Sequence, residues 1–274
     1  MPLVADIHFD YRIALECIKN GVDKIRLNPG NIGGADRVAA VAKAAKERNV
    51  PIRIGVNSGS VDRQLLARYG SPTPEAITAS AFKHINMLTD TGFYDIAVSL
   101  KTSDVVTTIR AYREFAEKAD FPLHVGVTEA GTVWNGSIKS AVGIGSILSM
   151  GLGNTVRVSL TGDPVEEIRV AKAVLKSLDL MPRGVNIVAC PTCGRTNVDL
   201  QSIAEKVEKA LEKCTRNITV AVMGCAVNGP GEAREADYGV ACGKGEGLLF
   251  KKGEIVKKVK EEEIVSQLLR LIEE

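Results

Sequence analysis

Two cysteine-bearing runs in the last third of the chain carry the side chains best suited to metal or redox chemistry. Cys190 and Cys193 form a Cys-x-x-Cys pair in CPTCGRT, and Cys225 stands alone in MGCAVNGPGEA. Each run follows a strand-like segment and is rich in Gly and Pro, a context in which thiolates converge on a metal while backbone N–H groups face the sulfurs. A Cys-x-x-Cys pair by itself also occurs in zinc ribbons and thioredoxin-like proteins.

The surroundings of these cysteines favour an iron–sulfur cluster over zinc. Structural zinc usually brings a second Cys-x-x-Cys or a histidine pair, whereas the three histidines of this chain all lie within its first 124 residues. Three cysteines with an unconventional fourth ligand fit a [4Fe–4S] cluster, and counting alone makes Cys242 the natural fourth ligand. A zinc-stabilised anion-binding protein without redox activity is the alternative.

The first 160 residues predict a repeated strand–helix unit. Six strand-like runs occupy residues 3–9, 24–28, 52–57, 95–101, 123–129 and 155–160, with helix-like segments such as 35–48 and 74–89 between them. Each run alternates apolar and polar side chains, so one face of each strand packs on helices and the other does not. In an open doubly wound sheet both faces carry helices, and charges on either would be hard to bury. The alternation therefore favours a TIM-type β/α barrel, whose active sites lie at the C-terminal mouth.

Cations dominate the polar face of these strands. That face carries four cations and one acid, namely Arg26, Arg53, Lys101 and Arg157, with Asp6. Converging cations in a poorly hydrated mouth are costly unless an anion neutralises them, and arginine forks fit phosphate oxygens. We therefore expect a small, strongly anionic ligand with two phosphates. The alternative is an internal network in which the cations pair with Asp6, Glu129 and backbone carbonyls.

The strand–helix rhythm stops at the run MPRG, where we place a domain boundary. Residues 1–181 form the predicted barrel, and residues 182–274 form a small α+β module. His84 lies in the middle of a predicted helix, and we interpret it as structural.

Composition restricts the function classes further. Thirty-five Lys+Arg against 33 Asp+Glu leave a net charge of +2, which argues against a nucleic-acid partner. The sequence has no apolar run of about 18 residues to predict a membrane span, and no signal peptide. Together with six cysteines, this predicts a reducing, cytoplasmic compartment.

Five runs of the sequence resemble one enzyme family. They are ADIHFDYRIAL, RLNPGNIG, PIRIGVNSGS, CPTCGRT and MGCAVNGPGEA. Across essentially the whole chain they resemble the 4-hydroxy-3-methylbut-2-enyl diphosphate synthases. The resemblance implies a TIM-type barrel followed by an α+β cluster domain related to sulfite-reductase modules. It also implies the two-electron reductive ring opening of 2-C-methyl-D-erythritol 2,4-cyclodiphosphate to 4-hydroxy-3-methylbut-2-enyl diphosphate, in the non-mevalonate route to isoprenoids.

The resemblance assigns the cluster ligands and partners. It implies a [4Fe–4S] cluster on Cys190, Cys193 and Cys225, with Glu232 instead of Cys242 as the fourth ligand. It gives Glu232 a catalytic role as well, because the iron that it ligates can bind the departing substrate oxygen. Ferredoxin or flavodoxin is the implied electron donor. Family members are homodimers in which the cluster domain of one subunit caps the barrel of the other.

The resemblance also assigns the substrate site. Glu129, at the end of the fifth predicted strand, is our candidate proton donor. The residues matched to substrate phosphates and hydroxyls, or expected close by, are Asp6, His8, Arg26, Asn28, Arg53, Asn57, Lys101, Thr128, Arg157 and Ser159.

The chain departs from the family at its start. Family members carry about two further βα units before the segment that matches Leu3, so six of a barrel's eight units are expected here. Such a barrel exposes two sheet edges. An inactive, N-terminally incomplete fragment of the synthase is therefore a second alternative to a working enzyme.

Overall fold

The structure is a computed structural model that describes residues 1–182, 184–196, 198–212, 214–225, 231 and 234–274. It divides into an N-terminal unit, Met1–Leu178, and a C-terminal unit, Asp179–Glu274. Each unit has an apolar core of its own. Among the helices of these described ranges, none combines the length and apolar character that crossing a membrane requires.

Strands and helices alternate along the N-terminal unit. Its strands are β1 (Val4–Asp6), β2 (Lys24–Leu27), β3 (Ile52–Asn57), β4 (Ile96–Lys101), β5 (His124–Val125) and β6 (Thr155–Val156). Its helices are α1 (Tyr11–Lys19), α2 (Ala35–Arg48), α3 (Arg63–Tyr69), α4 (Pro74–Thr89), α5 (Val105–Ala116), α6 (Val133–Ser149) and α7 (Pro164–Ser177). Every strand falls within one of the six predicted runs, and α2 and α4 have the predicted bounds. The predicted strand–helix repeat is therefore confirmed.

The strands of this unit run parallel and follow one another in chain order. β1 to β4 form one sheet, and β5 pairs with β6. A parallel bridge between Val98 and Leu123 connects the two sheets, and the Val98 amide donates to the Pro122 carbonyl at 2.8 Å. This series of parallel strands, each followed by a helix, is the arrangement of a β/α barrel.

A buried tyrosine strengthens the connection between β4 and β5, where the ladder is short. The Tyr112 hydroxyl, on α5, donates to the His124 carbonyl at 2.6 Å and accepts from the Leu100 amide at 3.0 Å. The side chain is fully buried, and burial raises the pKa of its phenol well above the usual value. Tyr112 thus satisfies two backbone groups that the strands leave unpaired.

The apolar faces of the strands pack under the helices. Ile54 on β3 and Leu100 on β4 are fully buried in the same core as Ile77 and Leu88 of α4. Burying one such side chain stabilises the fold by about 1.5–3 kcal/mol. Because these side chains alternate with polar ones, packing the helices on one face directs the polar residues to the other.

In its described residues, the C-terminal unit contains a mixed five-stranded sheet and two helices. In chain order it contains β7 (Val185–Ala189), α8 (Leu200–Leu211), β8 (Ile218–Met223), β9 (Tyr238–Gly243), β10 (Glu246–Lys251), β11 (Glu254–Lys260) and α9 (Ile264–Glu273). The strand order is β11-β10-β9-β8-β7. β7, β8 and β9 are mutually parallel, whereas β10 is antiparallel to both of its neighbours. This is an α+β module, as the sequence predicts.

The two helices of this unit share an apolar core with the sheet. Val207 of α8 and Leu268 of α9 are buried together with Val222, Val240 and Cys242. Because β7 and β8 are parallel neighbours, their carboxyl ends meet at one edge of the sheet. The loops that leave this edge contain Cys190 and Cys225.

Candidate active site

The register of β1, β2 and β3 aligns three charged residues at one level of the sheet. Asp6 pairs with Arg26, and Arg26 pairs with Arg53. One guanidinium N–H of Arg26 donates to Asp6 Oδ1 at 2.8 Å, and another donates to the Gly55 carbonyl at 3.2 Å. The Arg26 charge is thus compensated within the protein, as the interpretation of an internal network expects.

Gly55 gives the Arg26 side chain its space. An added Cβ at Gly55 would lie 2.2 Å from Arg26 Nε, a separation that no real side chain tolerates. A glycine at this interior position of β3 therefore lets the guanidinium of the neighbouring strand cross it.

Arg53 is largely buried and has only a neutral partner for its guanidinium. It donates to the Ser99 hydroxyl at 3.2 Å, and that hydroxyl donates to the Ile54 carbonyl at 3.2 Å. Burial, reinforced by the Arg26 charge, lowers the pKa of Arg53 to about 10. Arg53 therefore keeps its charge at neutral pH.

Lys101 lies at the end of β4, opposite Asn57 in the register. It is 9% exposed, and within the described chain its amine has neither a hydrogen bond nor an ion pair. Burial, followed by the charges of Arg53 and Arg157, holds the pKa of Lys101 well below the usual value. Asp6, Arg26, Arg53, Lys101 and Arg157 are called the cationic cluster below, and Lys101 is its buried cation without a partner in the described chain.

A second interior glycine makes room for Lys101. An added Cβ at Gly126 would lie 2.9 Å from Lys101 Nζ and 2.3 Å from the carbonyl oxygen of Arg157. The Arg157 amide also donates to the Val125 carbonyl at 2.9 Å, which fixes this segment beside β5. Arg157 is exposed, and its charge contributes to lowering the pKa of both Lys101 and Arg53.

A neutral histidine completes the interior near these cations. His124, on β5, has Nδ1 within 2.8 Å of the Thr155 hydroxyl, and its Nε2 is buried without a partner in the described chain. Burial, followed by the Lys101 and Arg53 charges, lowers the pKa of His124 to about 2. His124 is not among the site residues that the sequence predicts.

A cavity of about 940 Å³ opens at the carboxyl ends of β1, β2 and β3. Five of the predicted site residues line it: His8, Arg26, Asn28, Asn57 and Glu129. The other predicted barrel residues are not in its wall. These are Asp6, Arg53, Lys101, Thr128, Arg157 and Ser159. Arg26 therefore belongs to both the cavity wall and the cationic cluster.

Two asparagines in the cavity wall are fixed by turns that follow their strands. The Asn28 side chain accepts from the Gly30 amide at 3.3 Å at the start of a 3₁₀ turn, Pro29–Asn31. Its Nδ2 group is buried and has no partner in the described chain, so a ligand oxygen could accept from it. Asn57 caps the next 3₁₀ turn, Ser58–Ser60, through a reciprocal capping box with Ser60.

Glu129 reaches the cavity from a strained backbone. Its φ is 52°, in the left-handed region that non-glycine residues rarely adopt. It is exposed, and Thr128 beside it donates its amide to the Thr102 carbonyl at 3.1 Å. Strain of this kind is retained where the surrounding structure requires a side chain to point in one direction.

The cavity wall also contains residues that sequence reasoning missed. His84, interpreted from the sequence as structural, lines the cavity although it is only 3% exposed. Its Nδ1 has no partner in the described chain, and burial lowers its pKa to about 4. Beside it Lys83 pairs with Asp62 at 2.6 Å. Helical periodicity places His84 on a face of α4 but cannot show that this face reaches the strand ends, so the sequence carried no signal for it.

The cysteine loops leave one edge of the C-terminal sheet, as the sequence predicts for a metal site. The Gly224 amide donates to Cys190 Sγ at 3.2 Å. Hydrogen bonding from the Arg195 backbone lowers the pKa of the Cys193 thiol, which favours the thiolate that binds a metal. Within the described ranges, no three His, Cys, Asp or Glu side chains already stand together as a ligand set. Three cysteines supply soft sulfur ligands, and backbone N–H groups face the sulfurs. Both features fit an iron–sulfur cluster.

The two candidates for a fourth ligand differ in what the structure describes. Cys242, on β9, is fully buried, and burial raises its pKa to about 12. Glu232 lies outside the described residues.

Comparison with known proteins decides the family. Residues 1–172 match the GcpE TIM-barrel domain, and residues 186–274 match the GcpE protein C-terminal domain. The chain belongs to the GcpE family. This match confirms both the predicted fold class and the family resemblance.

Relatives within the GcpE family are similar over the whole chain. A protein of Ruminiclostridium cellulolyticum is 62% identical over 274 residues, and one of Clostridium perfringens is 60% identical over 273. Both matches cover 100% of this chain and 78% of the relative. A Fusobacterium nucleatum protein is 57% identical over 274 residues, covering 100% of this chain and 77% of its own length. Each relative is named 4-hydroxy-3-methylbut-2-en-1-yl diphosphate synthase (flavodoxin).

Proposed function

We propose that this GcpE-family chain catalyses the reductive ring opening of 2-C-methyl-D-erythritol 2,4-cyclodiphosphate to 4-hydroxy-3-methylbut-2-enyl diphosphate. Two electrons and two protons enter, C–O bonds break, and one water leaves. The observation that carries the proposal is the cationic cluster beside a polar cavity, in a chain about 60% identical to proteins named for this synthase. Flavodoxin, named in those relatives, is the proposed electron donor, with ferredoxin as the alternative of the same class.

The cations supply the binding free energy for a diphosphate. Arg53, Lys101 and Arg157 converge from neighbouring strands, and only Arg26 is already balanced by Asp6. Charge-assisted hydrogen bonds to phosphate are roughly twice as strong as neutral ones, and a poorly hydrated interior strengthens them further. These cations would therefore hold the two phosphoryl groups.

Neutral donors would orient the carbon skeleton. Asn28 offers an unpartnered buried amide, and Asn57 is fixed by its capping box. Thr128, in the segment after β5, and Ser159, in the segment after β6, add hydroxyl groups. Donors held in place before the substrate arrives lower the entropy lost on binding.

Glu129 is the proposed proton donor. It lines the cavity at the end of the β5 segment, and its strained backbone aims the side chain toward the strand ends. The loss of the substrate hydroxyl as water requires a proton, which a carboxylic acid at the rim can deliver from solvent. His8, also in the cavity wall, would lie close by.

A [4Fe–4S] cluster would be held by Cys190, Cys193 and Cys225, with Glu232 as the fourth ligand. When bound, it supplies electrons one at a time to the substrate. The amide that faces Cys190 Sγ and the lowered pKa of Cys193 support this assignment, because both favour thiolates. The division of labour that follows gives substrate binding to residues 1–181 and the cluster to residues 182–274. In the proposed homodimer, the cluster domain of one subunit would cap the barrel of the other.

Anaerobic turnover tests the proposal. The full chain, purified without oxygen and analysed for iron, labile sulfide and zinc, is mixed with the cyclodiphosphate and a chemical reductant. Formation of the allylic diphosphate is the expected result. Cluster-loaded protein that makes none would refute the activity of this chain. One zinc per chain without labile sulfide would refute the cluster and leave an anion-binding protein.

A further inference from the structure

Among the described residues, Lys101 is a buried cation without a compensating group, whereas Arg157, which also has no partner there, is exposed to solvent. Arg26 pairs with Asp6, and Arg53 donates to Ser99. The Lys101 amine is 9% exposed and has no hydrogen bond or ion pair within the described chain. Gly126 leaves room for this amine, because an added Cβ there would lie 2.9 Å from Lys101 Nζ.

The groups that face Lys101 disfavour its charge from several directions. Three cations act on the amine: Arg26 on β2, Arg53 on β3 and Arg157 in the segment after β6. Asp6 on β1 is the only acid acting on it in this set, and that carboxylate is already paired at 2.8 Å. A buried ammonium surrounded by like charges is costly, whereas a neutral amine there is not.

The remaining elements packed against β4 add no negative charge. β5 presents His124, whose burial lowers its pKa and keeps the imidazole neutral. α5 presents the Tyr112 phenol, which is hydrogen bonded to two backbone groups and un-ionised. α4 packs on the opposite, apolar face of β4, among residues such as Leu100.

We propose that Lys101 is a neutral amine in the ligand-free protein and takes up one proton from solvent when a diphosphate binds in the cationic cluster. This inference rests on the proposed function, because the diphosphate is the proposed substrate. Each phosphoryl group brings a negative charge next to the amine, which favours the ammonium form. The empty site therefore holds three cations, and Lys101 becomes the fourth cation when the substrate is bound.

Thermodynamic linkage sets the direction of the pH dependence. The bound state holds one proton more than the free state between the free and the bound pKa of Lys101. Within that window the substrate affinity falls as the pH rises, by about tenfold per pH unit. The cyclodiphosphate adds no titration of its own, because each of its phosphorus atoms carries a single, strongly acidic oxygen.

Calorimetry in several buffers measures this proton directly. The full chain, kept anaerobic, is titrated with the cyclodiphosphate at pH 7.5 in phosphate-free buffers of low and high ionisation enthalpy. The slope of the observed enthalpy against buffer enthalpy counts the protons taken up, and we expect about one. Lys101→Arg keeps a permanent charge, so binding should persist with a slope near zero. Lys101→Met should bind more weakly, also with a slope near zero. Lys172→Met, which removes an exposed amine of α7, should keep the wild-type slope.

The outcomes separate the two proposals. Absence of binding by the wild-type chain would overturn the proposed function, and this inference with it. Binding with a wild-type slope near zero would overturn the inference alone. A slope of about one that survives in both Lys101 variants would assign the proton to another group and overturn it as well. Circular dichroism spectra of the variants that match the wild type show that folding is not the cause.

Discussion

Replacing Gly126 by alanine tests whether the packing between the segments after β5 and β6, and the position of the Lys101 amine, require a residue without a side chain. The new Cβ would lie 2.3 Å from the Arg157 carbonyl oxygen, whereas real Cβ atoms essentially never approach another atom closer than 3.0 Å. The backbone must therefore yield by about 0.7 Å, the difference between these distances. The hydrogen bond from the Arg157 amide to the Val125 carbonyl, at 2.9 Å, resists that movement.

The expected cost follows from overpacking a rigid site. Inserted methyl groups in packed interiors typically cost about 1–3 kcal/mol, and a backbone obstacle puts Gly126→Ala toward the upper end. The same Cβ would lie 2.9 Å from Lys101 Nζ, so the amine is displaced and cyclodiphosphate binding weakens as well. Urea unfolding gives the first quantity, and anaerobic calorimetry gives the second.

Gly145→Ala is the matched control. Gly145 lies inside α6 with no atom within 4 Å of an added Cβ, so alanine there should stabilise the chain by about 0.5–1 kcal/mol. A Gly126→Ala chain as stable as the wild type, with unchanged affinity for the cyclodiphosphate, would refute the reasoning about close approach at β5.

Five further substitutions separate stability, substrate binding and cluster assembly. In Gly55→Ala, the new Cβ would lie 2.2 Å from the flexible side chain of Arg26, which can move aside. This change should weaken cyclodiphosphate binding about tenfold and leave the free energy of unfolding nearly unchanged. A large loss of stability would contradict this expectation. Tyr112→Phe leaves two buried backbone groups unpaired and should lower the free energy of unfolding in urea by about 1–3 kcal/mol. A wild-type unfolding midpoint would contradict the role of the Tyr112 hydroxyl in connecting β4 and β5. Cys193→Ser should lose the cluster absorbance, whereas Arg157→Ala should keep it and lose substrate affinity; equal loss in both would show the division of roles to be wrong. His84 has a native pKa of about 4 against 6.5 unfolded, so the unfolded state binds the extra proton and stability falls as the pH drops from about 6.5 toward 4. His84→Gln should flatten that pH dependence, and an unaltered slope between pH 7 and 5 would assign the effect elsewhere.

The fold was largely predictable because strands and helices in a β/α unit follow local rules. Period-two alternation located all the strands of the N-terminal unit, and Pro74 marked the first turn of α4. The ends of β5 were not predictable. The alternation predicts a strand that extends to Glu129, but its ladder stops at Val125, before the close approach at Gly126 and the left-handed residue at Glu129. Both features depend on neighbouring strands, and local propensity does not contain that information.

The site was predictable in its chemistry but not in its pairings. Alternation placed Arg26, Arg53 and Lys101 on one face, whereas only the register shows that Asp6 compensates Arg26 and leaves Lys101 alone. The depth of His84 was equally hidden, since a helical pattern gives a face and no distance to the next layer. The hypothesis of an internal network therefore describes one cation of the cluster and fails for Lys101.

The charges of the cationic cluster relate the charge of a bound anion to the protonation of Lys101. Arg26 and Asp6 cancel, so Arg53 and Arg157 leave two positive charges when Lys101 is neutral. A cyclodiphosphate has one negative charge on each phosphoryl group and so matches those two arginines. Its arrival offsets the repulsion that kept Lys101 neutral, because two negative charges then balance the two arginine charges that act on the amine. A monoanion would neutralise only one arginine and leave the other to disfavour the ammonium. A dianion is therefore expected to induce proton uptake at Lys101, whereas a monoanion is not.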